Sequence, residues 1–191
     1  MSTTLTGQYG FVLRLPPDIE DGVRELSREY AGNELDFSQV VPHCTCFHTY
    51  LADAPVDHIR EIHTLLNASL PISLDLHRFD VYGEVFVFWD ATITAPLRML
   101  YDKALGLARY HCSGDGKGEK LRNLPARQLE NIRRYGHPLV GEDWRPHVTV
   151  AYNAKGIAQV SRATLPVQCT IRDAAFAKIG HAGSVTEVVP L

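Results

Sequence analysis

Arg145-Pro146-His147-Val148-Thr149-Val150-Ala151-Tyr152 decides how this chain is read, because Val41-Pro42-His43-Cys44-Thr45-Cys46-Phe47 nearly repeats it earlier in the sequence. Each copy passes from an apolar or basic residue through Pro, His, one further residue and Thr into an apolar strand. Side chains alternate faces along a strand, so a His and a Thr two apart point the same way, and the residues between and after them point into a core. Each copy thus offers one imidazole and one hydroxyl to a common surface. Cys44 and Cys46 fall on the buried face with His48 beyond them, where small buried hydrophobes outweigh a metal site made from these three.

The lead-in to each copy is similar. Residues 8–15 read as a strand with Tyr9, Phe11 and Leu13 on one face, for core packing. Pro16-Pro17 with Asp18 and Glu20 opens an amphipathic helix over 18–31, carrying Ile19, Val23, Leu26 and Tyr30 and stopped by Gly32-Asn33. The first motif strand follows at about 40–50. A second helix then runs over 55–68 with Val56, Ile59, Ile62 and Leu66 inward, Asp53 as candidate cap, and His58 and His63 on its solvated side. Strands at 71–80 and 84–91 turn around Tyr82-Gly83, the second buried on both faces. A third helix over 96–110 has Thr94 as candidate cap and Leu97, Leu100, Tyr101, Ala104, Leu107 and Ala108 as its stripe.

The order strand, long helix, Pro-His-x-Thr strand therefore occurs from residue 8 and again from residue 84. It predicts one α+β, bilobal domain over 1–191, with lobes at about 8–80 and 84–191 and the second lobe lengthened by an insert at 112–145. Two such lobes facing each other bring His43, Thr45, His147 and Thr149 into one cleft. A short helix at 126–134, a break at Gly136-His137-Pro138, a helix around Ile157 and Val160, and closing strands at 166–179 and 184–189 complete the chain. His137 lies outside the repeated frame and reads as a loop residue, and His181 as an exposed turn residue.

Composition narrows the classes. Hydrophobic content of 45% and charged content of 21% over 191 residues are globular values. A formal charge of -3 argues against holding nucleic acid by overall charge, so any nucleotide contact must be local. The start has neither a basic nor an apolar leader region, and no apolar run approaches the roughly 20 residues of a spanning helix, so a cytoplasmic, non-membrane protein is expected. The four cysteines form no C-x-x-C pair and read as reduced thiols. No segment reads as a dedicated dimer helix, and a monomer is expected.

The insert begins with His111-Cys112-Ser113-Gly114-Asp115-Gly116-Lys117-Gly118, which lacks the Gly-Lys-Ser/Thr ending of a phosphate loop and reads as a flexible loop. Across the region Arg109, Lys117, Lys120, Arg122, Arg127, Arg133 and Arg134 outnumber Asp115, Glu119 and Glu130. A basic flap beside a phosphate site is one expectation, with Lys117, Lys120 and Arg145 as candidate substrate contacts.

Two imidazoles sharing a cleft suit acid-base chemistry, since near neutral pH one can accept a proton while the other donates one. Threonine hydroxyls on the same face can hydrogen-bond phosphate oxygens.

In Pro42-His43-Cys44-Thr45 and Pro146-His147-Val148-Thr149, and in element order over most of its length, the chain resembles the two-histidine (2H) phosphoesterase superfamily. That family includes RNA 2',3'-cyclic phosphodiesterases, 2'-5' RNA ligases and related cyclic nucleotide phosphodiesterases. The resemblance implies a two-lobed α+β fold whose antiparallel sheets line a central cleft with helices outside, and no metal or cofactor. It implies His43 and His147 as the catalytic pair, with His43 as base and His147 as acid the starting assignment, and Thr45 and Thr149 as phosphate binders. The implied reaction is hydrolysis of a 2',3'-cyclic phosphate on RNA or a small nucleotide. A non-catalytic nucleotide- or RNA-binding module and 2'-5' ligation stay open as alternatives. Phe47 shares a face with His43 and Thr45 and is the candidate base-stacking ring, with core packing the equal alternative; Tyr152 is expected on the face opposite His147.

Overall fold

The computed structural model describes residues 4–114, 124–155 and 166–191. Among them, eight strands form one antiparallel sheet: β1 (Thr4–Arg14), β2 (His43–Pro55), β3 (Ile72–Tyr82), β4 (Phe86–Ala91), β5 (His147–Tyr152), β6 (Val167–Ile171), β7 (Ala174–Ile179) and β8 (Val185–Val188). Their order is β6-β3-β4-β5-β2-β1-β7-β8. Four α-helices are described, α1 (Pro17–Arg28), α2 (Val56–Asn67), α3 (Ala95–Ala108) and α4 (Ala126–Tyr135). The α+β class and the antiparallel pairing agree with the sequence reading.

The sheet has two halves that meet at the motifs. β1 pairs with β2 and β7, and β4 pairs with β3 and β5, over several residues each. Between β2 and β5 the pairing is Cys44 opposite Val148. The halves of the sheet are not the halves of the sequence. The expected boundary at residues 80–84 falls in the β3–β4 hairpin, and β7 returns to β1 in the other half.

The expected strand at 166–179 is two strands. Arg172 and Asp173, both exposed, break it. β6 then pairs with β3 and β7 with β1, at positions well separated in the sheet order. The few peptide units from Ile171 to Ala174 can span only about 10 Å, so the sheet must curl until these strands approach. α2 fastens that closure: Asn67 Nδ2 donates to Ala174 O at 3.0 Å, and Ala174 N donates to Asn67 Oδ1 at 3.0 Å. His63, expected on the solvated side, lies 2.8 Å from the same carbonyl. His58 is likewise partly buried, with Nδ1 2.8 Å from His111 Nε2.

The core lies between the helices and one face of the sheet. Leu13, Phe11, Cys44, Cys46, Ile59, Ile62, Leu97 and Tyr101 belong to one buried cluster. Thr94 caps α3 as expected, accepting from Leu97 N at 3.4 Å. Asp53 does not cap α2: it has φ 51 and pairs with Thr6, and the helix starts after Pro55. The helix expected around Ile157 and Val160 lies outside the described residues. No helix among the described residues is long and apolar enough to cross a membrane.

Candidate functional site

With Cys44 opposite Val148 in an antiparallel pair, the register sets His43 against Thr149 and Thr45 against His147. All four project from the face opposite the cysteines. Thr45, His147 and Thr149 line one hollow, His43 and Thr149 line the next, and Ala182 and Gly183 border both. The four residues singled out from the sequence are thus brought together in one cleft.

Each histidine is held in the same way. His43 Nδ1 lies 2.9 Å from Val41 O, and His147 Nδ1 lies 2.7 Å from Arg145 O. A carbonyl can only accept, so Nδ1 carries a proton in both rings and Nε2 is left with its lone pair when the ring is neutral. Pro42 and Pro146 explain the shared geometry. Proline biases the residue before it to extended backbone and fixes its own φ, which presents that residue's carbonyl to the imidazole two positions on.

The environments differ. His147 is buried, and Phe88 stacks on it with centroids 3.6 Å apart and planes at 19°. Burial pushes its pKa down to about 4; the Arg145 carbonyl opposes the shift, the Arg145 charge adds to it, and Asp90 opposes it. His43 is only partly buried; its pKa is lowered by desolvation and raised in part by the Val41 carbonyl.

A bulge follows each motif and corrects the straight-strand reading. Phe11 pairs with Phe47 and Val12 with Thr45, so Cys46 is the extra residue. Cys46 and Phe47 both enter the core, and Phe47 packs 6.4 Å from Tyr101. Phe47 is therefore a core ring and no stacking platform. His48, expected beside the cysteines, lines the cleft instead. Gly10 makes room for this bulge, since a Cβ there would lie 2.7 Å from Phe47 O.

β5 repeats the device. Phe88 pairs with Thr149 and Val87 with Ala151, leaving Val150 as the extra residue. Val150 and Ala151 are both in the core, while Tyr152 packs with Phe86 and Phe88 on the histidine side. Tyr152 thus shares a face with His147, contrary to the alternation. Asn33, read as a helix stop, secures this bulge: its Nδ2 donates to Val150 O at 3.4 Å and its Oδ1 accepts from Tyr152 N at 2.9 Å. α1 itself has already ended at Arg28.

Arg145 does not line the hollow with His147. Its guanidinium is bound by Asp90 at 2.7 and 2.6 Å and by Asp80 at 2.6 Å, and it lies 5.6 Å over the Phe88 ring. The buried carboxylate of Asp90 is also met by Arg78 at 3.1 Å. Arg145 therefore supports the Phe88–His147 stack, and its carbonyl orients His147. Lys117 and Lys120 lie outside the described residues. His137, read as a loop residue, lines the cleft beside His48. In H-C-T-C-F-H over 43–48 and H-V-T-V-A-Y over 147–152, His48 and Tyr152 stand at the same offset from their histidines, and both cross to the histidine side of the sheet.

The fold has known counterparts. A structure of E. coli LigT in apo form superposes with a TM-score of 0.61 at 12% identity, covering 97% of this chain and 95% of that one. The same protein complexed with 3'-AMP gives 0.58 at 14% identity, with 98% and 96% covered. TT0787 of Thermus thermophilus gives 0.55 at 16% identity, with 96% and 95% covered. No curated protein matches the chain. A family model described as the 2'-5' RNA ligase superfamily matches residues 15–182, the span that holds both motifs and their bulges, and the chain belongs to that superfamily.

Proposed function

We propose that the cleft hydrolyses a 2',3'-cyclic phosphate, on an RNA end or a small nucleotide, by two-histidine acid-base catalysis that uses no metal. The observation that carries this reading is the matched anchoring of His43 and His147, each with Nδ1 on a backbone carbonyl and Nε2 left for proton transfer. Water attacks phosphorus as one Nε2 takes its proton. The bond from phosphorus to one ribose oxygen breaks, and that oxygen receives a proton from the other Nε2.

The environments favour His147 as base and His43 as acid, reversing the starting assignment. The ring more deeply buried under Phe88 is the one that resists protonation. The more open His43 takes up a proton when an anionic phosphate enters beside it. Thr45 and Thr149 flank the pair and donate to the phosphate oxygens. With a 5'-hydroxyl in place of water as the nucleophile, the same two proton transfers break the bond from phosphorus to the 3' oxygen and leave a 2'-5' phosphodiester, so ligation falls within this chemistry and accords with the family's description.

Turnover in EDTA of 2',3'-cyclic mononucleotides, RNA ending in a cyclic phosphate and 2'-5' linked oligoadenylate tests the proposal. Formation of a phosphomonoester from at least one of them is expected. Tight nucleotide binding with no turnover of any would establish the binding-module reading instead.

A further inference from the structure

His48 and His137 form a second pair of imidazoles in the cleft, and the two-histidine reaction does not use them. Their ring centroids are 4.2 Å apart with planes at 34°, and both line the same hollow as Thr45 and His147. His48 is 9% exposed, and its Nε2 is enclosed without a hydrogen-bond partner. Leaving such a group unmet is destabilising, and an apolar ring would fill the space without that cost.

His137 is held firmly. α4 ends at Gly136 with φ 73, where a Cβ would lie 2.6 Å from Tyr50 Cβ, so the helix end sits directly on β2. Asn131 Nδ2 donates to Pro138 O and to Val140 O, both at 2.9 Å, and clamps the segment that follows. Leu139 N donates to His137 Nδ1 at 3.3 Å. Nδ1 is therefore the acceptor, and in the neutral ring Nε2–H is a donor.

Resting on the proposed function, we infer that His48 and His137 form a hydrogen-bonding subsite beside His147 that reads an uncharged group of the nucleotide, a ribose hydroxyl or a nucleobase edge. Burial first, and then the neighbouring imidazoles (His43 and His147 for His48, His48 and His147 for His137), keep both rings uncharged at neutral pH. A neutral pair with one donor and one unmet nitrogen suits a hydroxyl or a base edge. It is poorly suited to a second phosphate, which calls for a cation.

Calorimetric binding of inorganic phosphate, adenosine 3'-phosphate, uridine 3'-phosphate and ribose 3-phosphate to the wild type, His48→Phe, His48→Gln and His137→Phe tests this. Expected is a loss of about tenfold or more for both nucleotides in the two Phe variants, with phosphate affinity unchanged and part of the loss recovered in His48→Gln. His48→Phe should melt no lower than the wild type, since the unmet nitrogen is gone. The same loss with ribose 3-phosphate assigns the contact to the sugar, and no loss with it assigns the contact to the base. Unchanged nucleotide affinity in both Phe variants, or an equal loss for phosphate, overturns the subsite. Failure of the wild type to bind phosphate removes the proposed function beneath it.

Discussion

Cys44 faces Val148, and through this pair the two halves of the sheet are joined edge to edge. Both side chains are fully buried on the face away from the histidines. The spacing of His43 from His147 is therefore set by packing on the other side of the sheet. Cys44→Ala should keep most of the turnover. Cys44→Phe overpacks the seam, which typically costs about 1–3 kcal/mol, and should lower kcat by moving the motifs apart. Denaturation curves and steady-state kinetics on the two variants check this. Burial also pushes the Cys44 thiol up to about 12, so it should resist alkylation in the folded protein, as mass spectrometry after iodoacetamide would read.

The bulges make a second prediction. Gly10→Ala sets a methyl against Phe47 O, and Asn33→Ala leaves the carbonyl of Val150 and the amide of Tyr152 without their side-chain partner. Each should destabilise the protein by about 1–3 kcal/mol. Gly10→Ala should disturb the Thr45–His48 side of the cleft, and Asn33→Ala the Thr149 side, through the bulge that follows it. Urea midpoints measure the first effect, and KM against kcat the second.

Acid should destabilise the fold through its buried imidazoles. Burial lowers His147 to about 4 and His48 to about 3, and lowers His43 and His137 as well. An unfolded histidine titrates near 6.5, as a rough reference, so below that pH the unfolded chain binds more protons than the folded one. The contribution is complete above about 6.5 and is lost as pH falls towards each folded value, at about 1.4 kcal/mol per pH unit for each such ring. Chemical denaturation at pH 7.5 and pH 5 should show the drop, and the combined His48→Phe, His137→Phe variant should show less of it.

The motif strands could be read because His and Thr two apart need only the two-residue period of a strand. That period also misled. One extra residue in each strand reversed the faces of Phe47, His48 and Tyr152, and alternation carries no mark of a bulge. Gly10 and Asn33 accommodate the bulges, yet lie on β1 and in the loop after α1, far from them in sequence. His137 reaches the cleft from the end of α4, by a tertiary contact that no local pattern encodes. The division of 166–179 arises because its two segments find different partners around a curled sheet, β3 for one and β1 for the other.

The central claim is that His43 and His147 act as one acid-base unit. The most direct test is kcat for a 2',3'-cyclic nucleotide in EDTA with the wild type, His43→Ala, His147→Ala and the double variant. Each single substitution should cost about 10² to 10⁴ in rate, and the double variant should be little worse than the poorer single one. Wild-type turnover surviving in either single variant would contradict the account.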